Sequence, residues 1–222
     1  MPLPLFADTQ IHHLFATPLV VASLPPELAA RINAGIRAML LGKEAVTPSV
    51  QASNYGGWQS DDKIVEWGGD GVALVVEALR EQIDSLTIRL HRDGATRGGI
   101  PWKINGWANI NRRGDSNVPH IHPGAYWSAA YYVAVDGGGG VGDDAGGDVG
   151  GAFKAFDPRG GLPLMYCPVL RAGIDGHMTA GNAELVHPRP GQCVIFPSWM
   201  SHAVGAYRGD GVRISLAFNF SV

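Results

Sequence analysis

Four side chains in the second half of the chain have the types and spacing to do chemistry together: His120 and His122, then His202, then Arg213. In extended backbone, residues i and i+2 point to the same side, so His120-Ile121-His122 can turn both imidazoles toward one ion. Imidazole is a common ligand for borderline divalent metals. The pair alone carries little weight, because with 8 histidines among 222 residues an H-x-H arises by chance in roughly one chain in four. More weight comes from the C-terminal stretch, where Pro188, Pro190 and Gly191 mark a turn, a strand over 194–196 follows, then His202, and then a closing strand over 212–220 that carries Arg213. In that last strand Ile214, Leu216, Phe218 and Phe220 form one apolar face, and Arg213, Ser215, Ala217 and Asn219 form the other. A closed sheet turns one of these faces inward. A guanidinium there is costly to bury without an anion, so Arg213 asks for a carboxylate or phosphate partner. A dicarboxylate co-substrate meets that need.

Elements must bring these groups together from distant points of the chain. Length and composition suit one domain spanning residues 1–222, in which residues 1–98 form an extended lead-in and two supporting helices and residues 99–222 form the β core. The balance of 45% hydrophobic and 17% charged residues is that of a folded protein. Pro25 and Pro26 open a segment in which Leu28, Ile32, Ile36 and Met39 recur at helical spacing. Residues 72–90 read as a second helix, with Val72, Val75, Val76, Leu79, Ile83 and Leu86 on one side and His91-Arg92-Asp93-Gly94 at its end. From Lys103 onward the period changes to two, with strands expected at Ile104 and over 107–111, 128–135, 151–156, 194–196 and 212–220. Short strands between turns suggest a sandwich or barrel.

The glycine-rich run at 136–151 reads as a surface loop with the potential to serve as a lid, because no Gly-Lys-Ser/Thr follows to make a phosphate cradle. Residues 167–182 read as an insertion without clear periodicity. A net charge of −3 gives no basic field, so general nucleic-acid binding is not expected. No run approaches the roughly 18 apolar residues of a membrane span, and the start lacks a basic segment followed by a long apolar one, so no membrane association and a cytoplasmic location are expected. Cys167 and Cys193 show no metal spacing and read as plain buried thiols.

With these residues in view, the chain resembles the Fe(II)/2-oxoglutarate oxygenase superfamily. More narrowly, Trp107-Ala108-Asn109-Ile110-Asn111, Gly114, His120-Ile121-His122-Pro123, residues 128–132, Asp157-Pro158-Arg159, Phe196-Pro197-Ser198-Trp199, His202 and Arg213-Ile214-Ser215 resemble a bacterial and phage family of such enzymes without an assigned substrate. The likeness covers roughly residues 100–222. It implies a mainly β fold with N-terminal helices, a double-stranded β-helix of the jelly-roll, cupin-like kind. It also implies Fe(II), 2-oxoglutarate and O₂ as cofactor and co-substrates, with oxidative decarboxylation to succinate and CO₂ and hydroxylation as the default outcome. Residue by residue, it implies His120, His122 and His202 as metal ligands and catalytic centre, Arg213 aided by Ser215 on the distal carboxylate of 2-oxoglutarate, and a further hydrogen bond from Tyr132. Tyr131 takes that last place if the register slips by one. The usual facial triad has a carboxylate where His122 stands, so either His122 is the third ligand or Asp115 or water supplies an oxygen.

Asn109, Asn111 and Trp199 are weaker candidates for lining a substrate pocket, and Arg159 either closes a turn or meets an anion. His12, His13, His91, His177 and His187 read as surface or hydrogen-bonded side chains, and the remaining tryptophans as core. Two other function classes stay open. The spacings Gly114-x₅-His120-x-His122 and Gly191-x₅-Pro197-x₄-His202 approximate cupin motifs, which would make a three-His thiol dioxygenase or isomerase; that family, however, expects a Glu near Tyr126 and Trp127 and does not require Arg213. A non-catalytic small-molecule-binding barrel is the third class. The expected partner is a small-molecule or peptide substrate. The oligomeric state is open, a homodimer being one arrangement.

Overall fold

The computed structural model describes residues 15–137, 149–160 and 183–222. The chain enters through strand β1 (Val20–Ser23) and helix α1 (Pro26–Glu44). Pro26 opens α1, where its missing N–H is not needed; Glu27 in the first turn and Lys43 in the last complement the helix dipole. Two short strands, β2 (Asn54–Tyr55) and β3 (Trp58–Gln59), precede a one-turn helix α2 (Ile64–Trp67) and the longer α3 (Gly69–Leu86). An exposed hairpin of β4 (Ile88–His91) and β5 (Gly94–Arg97) follows. The β core then runs through β6 (Lys103–Asn111), β7 (Ser116–His120), β8 (Trp127–Val135), β9 (Phe153–Phe156), β10 (Ala183–Val186), β11 (Gln192–Pro197), β12 (His202–Val204) and β13 (Arg213–Ser221).

Among the described residues, these strands form a six-stranded sheet in the order β1-β11-β8-β13-β6-β3 and a five-stranded sheet in the order β10-β9-β12-β7-β2. All pairings between these strands are antiparallel. The architecture is the double-stranded β-helix expected from the sequence, mainly β with N-terminal helices.

The helices explain which face of the larger sheet turns inward. Ile36 and Leu40 of α1 and Val72, Val75, Leu79 and Ile83 of α3 pack with Ile214, Leu216, Phe218 and Phe220 of β13, together with Ala108 and Ile110 of β6. The apolar face of the sheet is therefore covered from outside. Its polar face looks into the space between the sheets, where a second apolar cluster contains Tyr132, Phe153, Val194, Phe196 and Met200. Gly106 permits a close approach of β6 to β13, since a Cβ there would lie 2.5 Å from the Phe218 ring and 2.6 Å from the Ala217 carbonyl.

The second helix expected over 72–90 is corrected at its end. It stops at Leu86, and Thr87 turns extended at φ −110°, ψ 132°. Its hydroxyl donates to the Ile83 carbonyl at 2.7 Å and accepts from the buried Trp127 Nε1 at 2.9 Å. A tertiary contact ends the helix, and His91-Arg92-Asp93-Gly94 is the turn of a hairpin, with His91 opposite Gly94. The glycine-rich run lies outside the described residues except at its two ends, and the 167–182 insertion with Cys167 lies wholly outside them. Cys193 is a free thiol whose pKa is raised by burial. No described helix is long and apolar enough to cross a membrane.

Candidate metal centre

Pairing in the smaller sheet brings two of the three histidines together. His120 is the last residue of β7 and stands opposite His202, the first residue of β12, which also pairs with Ala155 of β9. His122 lies two residues beyond β7, where its backbone N–H donates to the Ser198 carbonyl at 2.9 Å. The ring centroids are 4.2 Å apart for His120 and His202, 4.8 Å for His122 and His202 and 5.0 Å for His120 and His122. One ring nitrogen from each lies within 4.8 Å of the others.

The other nitrogen of each ring is already engaged, and this sets the tautomers. His120 Nδ1 is 2.8 Å from the Val118 carbonyl and His202 Nδ1 is 2.9 Å from the Met200 carbonyl. A carbonyl only accepts, so both Nδ1 atoms carry the proton and both Nε2 atoms keep a lone pair. His122 reaches the same state through a relay: the Ser128 hydroxyl donates to Asn219 Oδ1 at 2.8 Å and so accepts from His122 Nδ1–H at 2.8 Å. His122 Nε2 is left buried with no hydrogen-bond partner. Bonds of this kind from the far nitrogen are the usual means of orienting metal-bound imidazoles.

Burial keeps the three rings neutral. Desolvation pulls His202 down to about 3 and His122 down to about 4, with the neighbouring imidazoles adding to the effect, and lowers His120 in the same direction. Three neutral nitrogens with convergent lone pairs suit a borderline divalent ion such as iron. Asp115, the alternative oxygen donor, is not part of this cluster. Its carboxylate accepts the Arg112 backbone N–H at 2.6 Å and lies against the turn at Gly56 and Gly57.

Arg213 stands deeper in the same cavity and is 1% exposed. Its Nε donates to the Gly151 carbonyl at 3.0 Å, and its Nη1 donates to Asn111 Oδ1 and Ser215 Oγ at 3.3 Å each. No carboxylate among the described residues pairs with it, and desolvation lowers its pKa. Gly151, at φ +69°, is needed beside it, since a Cβ would lie 2.7 Å from Arg213 Cδ. Tyr132 packs its ring 5.2 Å from the guanidinium. Its hydroxyl is buried without a hydrogen-bond partner, and its pKa is raised by burial against the attraction of Arg213. A buried cation and an unpaired phenol side by side fit the carboxylate of a small acid.

The remaining candidates divide. Tyr131 faces the helices and donates to Asn33 Oδ1 at 2.8 Å, so the register places Tyr132, not Tyr131, in the cavity. Asn109 and Trp107 line the cavity, whereas Asn111 lies behind it on Arg213. Trp199 is 55% exposed and stands outside the lining of this cavity. Arg159 pairs with Asp157 in its own turn at 2.7 Å. His91 bonds Thr96 across the exposed hairpin at 2.8 Å; His12, His13 and His177 fall outside the described residues. Sequence reasoning missed Ser128 as the bridge to His122, Gly151 beside Arg213, and Ser53, whose hydroxyl lies 3.4 Å from His120 Nε2. Asn219, which completes the relay through Ser128, had a signal in its place on the polar face of β13.

Comparison with known proteins agrees with this geometry. Residues 105–219 match the family model described as "Putative 2OG-Fe(II) oxygenase". No curated protein is detectably similar in sequence. Among solved structures, a prolyl-4-hydroxylase from Pseudomonas putida is similar with TM-score 0.58 and 16% identity, over 94% of each chain. A prolyl hydroxylase from Trichoplax adhaerens, in complex with a hypoxia inducible factor oxygen degradation domain peptide fragment, gives 0.60 and 12% over 91% of this chain and 83% of that one. HygX from Streptomyces hygroscopicus, with nickel and 2-oxoglutarate bound, gives 0.56 and 12% over 92% and 83%. At these identities the structural likeness establishes the fold.

Proposed function

Because this chain belongs to the 2-oxoglutarate/Fe(II) oxygenase family, we propose that it is a dioxygenase in which His120, His122 and His202 hold Fe(II) and Arg213 receives 2-oxoglutarate. The observation that carries the reading is the convergence of three imidazoles whose Nδ1 atoms are all engaged, leaving the buried His122 Nε2 without a partner except an ion. Bound iron supplies the centre at which O₂ is activated and the decarboxylation of 2-oxoglutarate to succinate and CO₂ is coupled to oxidation of a C–H bond.

The chain's own residues bind, orient and exclude water. Arg213 and the Ser215 hydroxyl take the distal carboxylate, and the Tyr132 hydroxyl donates a further hydrogen bond to it. Phe153, Phe196, Ala130 and Ala217 give that pocket apolar walls, which strengthens the ion pair by keeping solvent away. The relay from Asn219 through Ser128 holds His122 in one tautomer. The whole chain acts as one unit in this reading, since α1 and α3 cover the sheet that presents Arg213. The substrate is a small molecule or a peptide, and hydroxylation is the default outcome. The cupin reading gives no role to a buried Arg213 that lacks an acidic partner among the described residues.

An anaerobic titration of the Fe(II) protein with 2-oxoglutarate tests the proposal. A saturable metal-to-ligand charge-transfer band is expected in the wild type. Failure of the protein to retain iron, or of the band to appear, would sink it.

A further inference from the structure

Next to the proposed co-substrate pocket, two buried side-chain amide oxygens have no hydrogen-bond partner. Gln59 of β3 and Asn109 of β6 are cross-strand partners. Their neighbours Trp58, Ala108 and Ile110 face the helices, so alternation turns Gln59 and Asn109 to the interior. They are 6% and 7% exposed, and both Gln59 Oε1 and Asn109 Oδ1 are buried without a partner. Asn109 lines the cavity beside the histidines. Across from them on β7, Asn117 is also buried and donates from Nδ2 to the Ser53 hydroxyl at 3.2 Å; both of these residues line the same cavity.

Buried polar groups are almost always paired, so two adjacent orphans in an otherwise well-packed barrel are unusual and point to a ligand. Half a turn of either amide brings its NH₂ to the same unpartnered place, so the edge that fits best can both donate and accept. The cavity lining contains one charged side chain apart from the histidines, Arg213, and the proposed function already assigns it to 2-oxoglutarate. The group recognised here is therefore neutral.

We propose that Gln59 and Asn109 form a substrate-recognising subsite for a carboxamide or peptide-amide group, placed to present the attached carbon to the metal centre. This rests on the proposed function for the reaction but not for the binding, so the two fail separately. Gln59 and Asn109 act as specificity residues, reading the N–H and C=O edge of the substrate.

The test uses full-length protein loaded with Fe(II) and 2-oxoglutarate, anaerobically. The probes are a panel of small aliphatic N-methyl carboxamides and their matching methyl esters, which lack any amide N–H. Binding is read from perturbation of the charge-transfer band and from ligand-observed NMR, and both are repeated with Gln59→Met and Asn109→Leu, which keep approximate size. The wild type is expected to prefer at least one amide over its ester by about tenfold or more. In each variant that preference should fall to within about twofold, with 2-oxoglutarate affinity for Gln59→Met unchanged. Thermal midpoints of the ligand-free variants should rise by roughly 2–4 °C each, because an unpaired polar group has been removed. No amide preference in the wild type, or a preference that survives in both variants, overturns the subsite. A wild type that forms no charge-transfer band while amide binding persists by NMR instead overturns the oxygenase reading and leaves the subsite standing.

Discussion

Single residues divide the proposed site into a metal half and an acid half, and substitutions should separate them. His202→Ala removes a proposed ligand that is 4% exposed and is expected to abolish iron retention, measured by metal analysis after desalting. Arg213→Ala should keep the iron, since its guanidinium touches none of the three imidazoles, yet weaken 2-oxoglutarate on the order of 100-fold. An unchanged affinity in that variant would remove Arg213 from the co-substrate site. A second prediction concerns protons. In the metal-free protein His122 and His202 have pKa values depressed to about 4 and about 3, against about 6.5 in the unfolded chain. The unfolded state therefore binds more protons between these limits. Their contribution is fully present above pH 6.5 and is lost as pH falls toward 4, at no more than about 1.4 kcal/mol per pH unit for each imidazole. Urea unfolding in chelator from pH 7.5 to 4.5 measures this slope, and His202→Phe should reduce it.

At the scale of elements, the junction between α3 and the hairpin shows a local pattern yielding to a tertiary contact. Apolar residues at helical spacing continue the expectation of helix to Leu90, but Thr87 leaves the helix to accept the Trp127 indole N–H. Thr87→Val keeps the shape and strands that buried donor, so a loss of about 1–3 kcal/mol is expected from denaturant unfolding. Leu90, by contrast, lies exposed on the hairpin, and Leu90→Lys should change stability by less than about 0.5 kcal/mol. Strands β2, β3 and β12 were not legible in the sequence because segments of two or three residues are too short to show alternation. His202 and its neighbours are recruited into the smaller sheet by β7 and β9 rather than by their own propensity.

For the molecule as a whole, the site is assembled from strands far apart in sequence, so a ligand that bridges them stabilises the fold. A saturating divalent ion that does not turn over, such as Mn(II) or Ni(II), should raise the thermal midpoint. A hundredfold excess over its dissociation constant is worth about 2.7 kcal/mol. 2-Oxoglutarate should add a further rise only when metal is present, because the proposed site holds it by both Arg213 and the ion; a chelator should reverse both rises. Differential scanning fluorimetry reads all of these, and a 2-oxoglutarate effect that persists in chelator would separate the acid site from the metal.

The sequence by itself determined the chemistry: three histidines and an arginine at spacings that suit strands, an alternating closing strand, and a matching family pattern over the second half of the chain. Those features are local, and period-two alternation places side chains on faces without reference to anything distant. Only the tertiary structure decided which face of β13 turns inward, since α1 and α3 had to cover the apolar one. It also decided that Tyr132 rather than Tyr131 enters the cavity, that Asp115 stays away from the histidines, and that Ser128 and Asn219 set the His122 tautomer. Each of these depends on pairing between strands tens of residues apart, and a register shift of one residue would reverse every side chain involved.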